Sequence, residues 1–361
     1  MNASIMHTER HMRRVTINGR VIGPDQPPYV IAEMSANHNG SLERAFRILD
    51  AAKQAGADAV KLQSYRADTI TIDHDGPEFR IEGGLWDGRS LYELYADAAM
   101  PWDWHEPLFR RAAEIGITIF SSPFDHSAVD LLQSLGAPAF KIASLELCDI
   151  PLIEKVAAIG KPVIMSTGAS ELGEIAEAVA AARRAGCAEL ILLQCTSGYP
   201  TPASDSNLRT IPHLAEMFDA VVGLSDHTMG TAVPVAAVAL GACVIEKHFT
   251  LARSDGGVDS TFSLEPPELA SLVADCRTGW EALGRINYGI AASEAGVRPF
   301  RRSLYIVQDI AAGDIITEQH VRSIRPGLGL APKYYASVLG RKTARSLKRG
   351  MPLDWTMLSS E

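Results

Sequence analysis

The chain has 361 residues, 47% hydrophobic and 21% charged, a composition suited to one large water-soluble domain with a small companion. Its five cysteines are scattered and lack CxxC spacing, which argues against a disulfide framework or a cysteine-built zinc site and for a reducing cytoplasm; no apolar run approaches the ~20 residues of a membrane helix. The net charge of −9 is uneven, with 11 Lys and Arg against 5 Asp and Glu from Arg298 onward and 23 against 38 before it. Without aromatic-basic interleaving, that basic end reads as a docking or anion-covering module rather than a nucleic-acid binder.

Met1–Arg14 has no apolar h-region, so it reads as a short flexible tail rather than a signal peptide, and residues 1–28 form a tail and lead-in. Short β-branched runs then alternate with segments of helical period. Strands are expected at 29–36, 59–64, 118–123, 139–144, 162–167, 190–196, 220–226 and 243–249. Helices are expected at 42–55, 104–115, 127–135, 150–159, 171–185, 208–218, 231–240 and 267–283, and glycine follows most of them directly. Val and Ile on both faces of the strands fit a parallel sheet covered on both sides. Eight strand–helix units without a GxGxxG fingerprint predict an α/β fold closed as a (β/α)8 TIM barrel over residues 29–284. The link at 65–103 is too long for an ordinary loop and reads as a lid or wall. Residues 285–299 read as a polar linker, and 300–361 as a small β-rich domain.

Barrel active sites lie at the C-terminal ends of the strands. Those positions hold Glu33, Asn37 and His38; Lys61 and Gln63; Ser121 and Ser122; Lys141 and Ser144; Ser166 and Thr167; Cys195, Ser197 and Tyr199; Ser225, Asp226 and His227; and Glu246, Lys247 and His248. Three lysines, hydroxyls and turn glycines suit a compact, highly charged anion such as a phosphate with a carboxylate, although each serine alone also reads as a helix cap. Two histidines at equivalent ends of neighbouring strands read as a metal pair or as ordinary buried imidazoles. A buried lysine also fits Schiff-base chemistry of the class I aldolase kind, whereas the histidines favour a metal as electrophile. Glu33 either pairs with a barrel lysine or works as an acid/base.

The same residues carry a resemblance. Ile-Ala-Glu-Met-Ser-Ala-Asn-His-Asn-Gly (31–40), Ala-Val-Lys-Leu-Gln (59–63), Ser-Ser-Pro-Phe (121–124), Lys-Ile-Ala-Ser (141–144), Met-Ser-Thr-Gly (165–168), Gln-Cys-Thr-Ser-Gly-Tyr-Pro (194–200), Gly-Leu-Ser-Asp-His-Thr (223–228) and Glu-Lys-His-Phe-Thr (246–250) resemble the sialic acid synthase family. Ile-Arg-Pro-Gly (324–327) resembles that family's antifreeze-like (SAF) domain. The resemblance implies condensation of phosphoenolpyruvate with an open-chain acetamido sugar, giving a nine-carbon keto sugar acid and phosphate. It implies phosphoenolpyruvate contacts from Lys61, Gln63, Ser122, Lys141, Ser144, Ser166, Ser197 and Ser225, with Ser197 standing where bacterial N-acetylneuraminate synthases often have Asn. It implies sugar contacts from Asn37, Tyr199, Asp259 and Arg325, Mn2+ or Mg2+ on His227 and His248, and Glu33 as the catalytic carboxylate. It further implies a domain-swapped homodimer in which Arg325 of one subunit serves the other, while the composition and motifs speak against a nucleic-acid or membrane partner. Residues 35–39, 68–73 and 84–95 resemble the pseudaminic acid synthases within the family, whose sugar is a 2,4-diacetamido-2,4,6-trideoxy hexose. The alternatives are N-acetylneuraminate or legionaminate synthesis and, from another class, a Schiff-base pyruvate aldolase.

Overall fold

A computed structural model describes residues 13–359, so most of the expected N-terminal tail lies outside the described residues. The first described element is a hairpin, β1 (Val15–Ile17) paired antiparallel with β2 (Arg20–Ile22) through the turn Asn18-Gly19. Both turn residues have positive φ, 47° and 79°, the conformation in which Asn-Gly joins two twisted strands without splaying them.

Eight parallel strands follow: β3 (Tyr29–Glu33), β4 (Ala59–Ser64), β5 (Thr118–Pro123), β6 (Phe140–Ile142), β7 (Val163–Ser166), β8 (Leu190–Cys195), β9 (Val221–Asp226) and β10 (Val244–His248). Each pairs with the next in sequence, and β10 pairs back onto β3. The barrel closes as the eight-unit count predicts. Helices lie where the 3.6-residue period placed them, for example Leu42–Gln54, His105–Ile115, Leu172–Arg184 and Pro266–Leu283. The strand-facing stripe of each is apolar, as Ile48, Leu49 and Ala52 illustrate in the first.

Alternation along the strands sorts side chains between two cores. Val30, Ala32, Val60, Leu62, Leu192 and Leu224 point outward against the helices. Ile31, Ala59, Phe120, Ile164, Leu193 and Val244 point into the barrel, where Val15, Ile17 and Ile22 of the hairpin join them. The lead-in segment is therefore a plug for the N-terminal end of the barrel. It removes those side chains from water and leaves the opposite end for polar groups.

The segment between β4 and the helix His105–Ile115 is structured. It contains helices Ala67–Ile70 and Leu91–Ala98 and three short turns of 3-10 helix.

The chain divides into two compact units, the first ending at Gly284 and the second beginning at Arg285. In the second unit, residues 285–302 are exposed throughout and include Ile286, Tyr288, Ile290, Val297 and Phe300, so this stretch is less polar than its expected role as a linker suggests. The remainder is built on β11 (Ser303–Ile306) paired antiparallel with β12 (Val321–Ile324). Isolated bridges such as Ile310 to Leu347 and Thr343 to Leu358 complete it around a core of Leu304, Ile306, Val321, Val338, Leu347 and Leu353. Among the described residues, no helix is long and apolar enough to cross a membrane.

Ile17 is fully buried in the barrel floor. Ile17→Ala is expected to cost about 2–4 kcal/mol of unfolding free energy through lost burial and an incompletely collapsed cavity. Denaturant unfolding of the full chain, followed by tryptophan fluorescence, measures this.

Candidate active site

The strand order brings Glu33, Lys61, Lys141, Ser166, Cys195, Ser225, His227, Glu246 and His248 to the C-terminal mouth of the barrel. Cross-strand register places Glu33 beside Lys61 on one side and beside His248 on the other, and Ser225 beside Glu246. Inward alternation from the apolar layer below then points these side chains to a common centre.

Charge at the floor is organised by Glu246. Its Oε1 lies 3.3 Å from Lys141 Nζ and 3.6 Å from Lys61 Nζ, and accepts a hydrogen bond from Ser225 Oγ at 3.2 Å. Burial opposes ionisation of Glu246, but the ammonium groups of Lys141 and Lys61 hold its carboxyl below the ordinary range. Lys61 also pairs with Glu33 Oε2 at 2.5 Å and donates to Ser122 Oγ at 3.3 Å. Burial lowers the pKa of Lys141. Burial raises Glu33 to about 7 against the pull of Lys61. Its Oε1 accepts from the Ser35 N–H at 3.1 Å and from Gln63 Nε2 at 3.3 Å. Glu33 thus stands just beneath the cavity, reaching it through Lys61 and Gln63.

Hydroxyls line the opposite side. The Ser166 and Ser197 oxygens are buried and have no protein partner, while Ser144 Oγ accepts from the Gly168 N–H at 3.1 Å. Gly168 permits this crowding, because a Cβ there would stand 2.5 Å from Ser197 Oγ and 2.7 Å from Ser144 Oγ. Two ammonium groups with unpartnered hydroxyls make a receptor for an anion bearing several oxygens.

His227 and His248 face each other with ring centroids 5.4 Å apart. The contact of His227 Nδ1 with the Thr196 carbonyl, at 3.0 Å, puts the proton on Nδ1 and leaves Nε2 as a lone-pair donor. The buried His248 Nδ1 has no partner. Burial disfavours charge on both rings. It prevails at His248, which falls well below its ordinary pKa, whereas at His227 the Cys195 thiol at 3.9 Å tips the balance upward. Among the described residues no cluster of three or more His, Cys, Asp or Glu is arranged to hold a metal. Two imidazoles with free lone pairs suit an open cation site completed by substrate and water oxygens.

The Tyr199 ring packs against this pair, tilted at 4.5 Å from His227 and edge-on at 6.3 Å from His248, and reaches Trp86 of the long insertion at 5.8 Å. Asp259 lies on the rim, its Oδ2 accepting from Ser35 Oγ at 2.5 Å and from the Ala36 N–H at 3.3 Å. A cavity of about 420 Å³ is bounded by Lys61, Gln63, Lys141, Ser144, Ser166, Ser197, Tyr199, Ser225, His227, His248 and Asp259 together. Ser122 sits behind Lys61 instead of on the cavity surface. Asn37 is also off the surface, fully buried, with its amide donating to the Phe249 carbonyl at 3.0 Å and to Ser263 Oγ at 2.8 Å. Arg325 belongs to the second unit and is exposed just after β12.

Lys247 departs from the three-lysine reading. Glu246 and His248 point inward, so the residue between them points out, where its ammonium is buried against the Asp226 carboxylate and the Thr228 carbonyl. It ties the ends of β9 and β10 together from behind. Of the site's carboxyls, Glu246 stands among the strand-end residues read from sequence, without a role of its own, and Glu146 is not among them. Glu146 sits in the 3-10 turn Ser144–Cys148 that follows β6, where no periodic signal marks it. It lines the cavity with one carboxyl oxygen unpartnered, and burial raises it to about 7.

Comparison with known proteins places this geometry. Residues 48–288 match the NeuB family and residues 301–359 match the SAF domain. The chain is 43% identical to the pseudaminic acid synthase of Helicobacter pylori, covering 91% of this chain and 97% of that one. It is 44% identical to a pseudaminic acid synthase of Campylobacter jejuni, covering 90% and 95%. The crystal structure of N-acetylneuraminic acid (sialic acid) synthetase from Leptospira borgpetersenii in complex with citrate superposes with a TM-score of 0.71 at 34% identity, covering 80% of this chain and 96% of that chain. The chain belongs to the NeuB family and carries a C-terminal SAF domain.

Proposed function

We propose that this enzyme condenses phosphoenolpyruvate with 2,4-diacetamido-2,4,6-trideoxy-L-altrose and water, releasing pseudaminic acid and phosphate. One observation supports it above the rest. A two-lysine, hydroxyl-rich anion receptor and a pair of histidines share one cavity at the barrel mouth. The similarity to pseudaminic acid synthases, over nine-tenths of the chain, directs the choice of sugar.

In this reading Lys61, Lys141, Ser144, Ser166, Ser197 and Ser225 hold the phosphate and carboxylate of phosphoenolpyruvate, and Gln63 and Ser122 fix Lys61 and Glu33. Tyr199 and Asp259 contact the sugar, and Asn37 holds the β3 end against the loop after β10. A homodimer in which Arg325 of one subunit serves the other completes the proposal. His227 and His248 hold Mn2+ or Mg2+, which when bound supplies Lewis acidity at the aldehyde oxygen. C3 of phosphoenolpyruvate forms a bond to the aldehyde carbon. Water adds at C2, and the C2–O bond breaks to release phosphate. Lys61 and Lys141 balance the anion as positive charge develops at C2. Glu33, which burial raises to about 7 and which reaches the cavity through Lys61 and Gln63, accepts the proton of the attacking water, and the oxygen of the former aldehyde takes up a proton to become a hydroxyl.

Three outcomes test this. With phosphoenolpyruvate present, phosphate release is expected with the diacetamido altrose and not with N-acetylmannosamine or the diacetamido mannose analogue; turnover of N-acetylmannosamine alone overturns the choice of sugar. EDTA should abolish turnover and Mn2+ restore it, whereas a Schiff-base aldolase would survive chelation and be trapped by borohydride. Because Glu33 must be ionised to accept a proton, kcat should fall as pH drops through about 7. Glu33→Gln should lower kcat about 10²–10⁴-fold and remove that acidic limb. Loss of the limb in Glu146→Gln instead would move the role to Glu146.

A further inference from the structure

The cavity has two chemically different halves. Its floor carries the charges described above. Its outer side is supplied by the insertion between β4 and the helix His105–Ile115, which presents Ile70, Ile81, Leu91, Leu94 and Ala98. These side chains offer neither donor nor acceptor.

The wall is built, not incidental. Ser90 and Glu93 form a capping box, with the Glu93 N–H donating to Ser90 Oγ and the Ser90 N–H to Glu93 Oε2, both at 3.1 Å. The helix this starts, Leu91–Ala98, puts Leu91, Leu94 and Ala98 on one face at spacings of three and four residues. Ile81 is held by a backbone strap, its N–H donating to the Arg89 carbonyl at 2.9 Å and its carbonyl accepting from the Gly88 N–H at 2.9 Å. Trp86 ties the insertion to the loop after β10 by donating its indole N–H to the Val258 carbonyl at 3.2 Å. Tyr95 shares this helix face and, with Tyr65 at a ring distance of 6.0 Å, also lines the cavity; burial raises both phenols.

Resting on the function proposed above, we infer that this aliphatic wall is the specificity element that selects a 6-deoxy sugar, receiving the C6 methyl against Ile81, Leu91 and Leu94. A C6 hydroxyl placed against Ile81, Leu91 and Leu94 gives up hydrogen bonds to water and meets aliphatic carbon. A methyl placed there buries apolar surface and loses nothing. The wall thus reads the absence of one oxygen, while the charged floor reads the anion shared by all such condensations.

The test compares 2,4-diacetamido-2,4,6-trideoxy-L-altrose with its 6-hydroxy counterpart, each with phosphoenolpyruvate and Mn2+, by phosphate release. The wild type should favour the 6-deoxy sugar about 10²-fold in kcat/KM, the scale on which an apolar pocket rejects an added hydroxyl. Leu94→Asn, of similar branching shape, and, independently, Ile81→Thr, shorter by one methyl, each supply a hydrogen-bonding group. Each should lower the ratio at least about fivefold while the KM for phosphoenolpyruvate stays within about twofold, since neither residue touches the anion receptor. Phosphate release with a wild-type ratio near one, or a ratio unmoved in both variants, overturns the role of the wall and leaves the proposed reaction standing. No release with either sugar overturns the reaction and the wall's role together.

Discussion

Two ammonium groups buried inside a barrel require an anion within reach, and the Glu246 carboxylate is the one that reaches both of them. Without it, Lys141 would face a desolvation penalty of several kcal/mol with little to offset it, and Lys61 would depend on Glu33 alone. With it, the inward-facing ends of β4, β6, β9 and β10 are joined by one set of charges. The compensation is incomplete, because one carboxylate faces two ammoniums and Glu33 titrates near neutrality. A floor left short of negative charge is prepared for an anionic ligand.

That arrangement depends on strand register. A one-residue slip in any of the contributing strands would exchange inward for outward side chains and send the charges into the helix layer. Lys247 shows the consequence of parity: one residue from Glu246, it faces the other way and needs its own partner in Asp226. The Asp226–Lys247 pair lies directly behind the two histidines and couples the strands that present them. The hairpin plug stabilises the opposite end, so the apolar and polar halves of the barrel interior stay separate.

The insertion after β4 adds a third component. Barrels of this kind vary their chemistry through the loops above a constant floor. Here the floor supplies charge and lone pairs, while the insertion supplies an aliphatic wall through its helix and also Trp86, which meets Tyr199 of the loop after β8. The division allows the substrate-reading surface to change without disturbing the buried ion pairs.

Much of this was legible in the sequence. Parallel strands covered on both sides show continuous apolar runs, amphipathic helices show their period, and polar residues at strand ends stand out because burying them needs a reason. Glu33, Lys61, Lys141, His227 and His248 were visible on those grounds. The Asn18-Gly19 hairpin was equally readable but looked like a lead-in, because its partners are inward side chains of strands up to 230 residues away. Glu146 left no trace, since a 3-10 turn imposes no pattern that separates a carboxyl aimed into a cavity from one in water. Local periodicity is a property of neighbours along the chain, and the sequence by itself determined strands, helices and a barrel count. Only tertiary structure decided that Lys247 faces out, that Glu246 bridges two lysines and that the insertion folds its aliphatic face over the mouth. Those outcomes rest on barrel closure and on distances between residues remote in sequence.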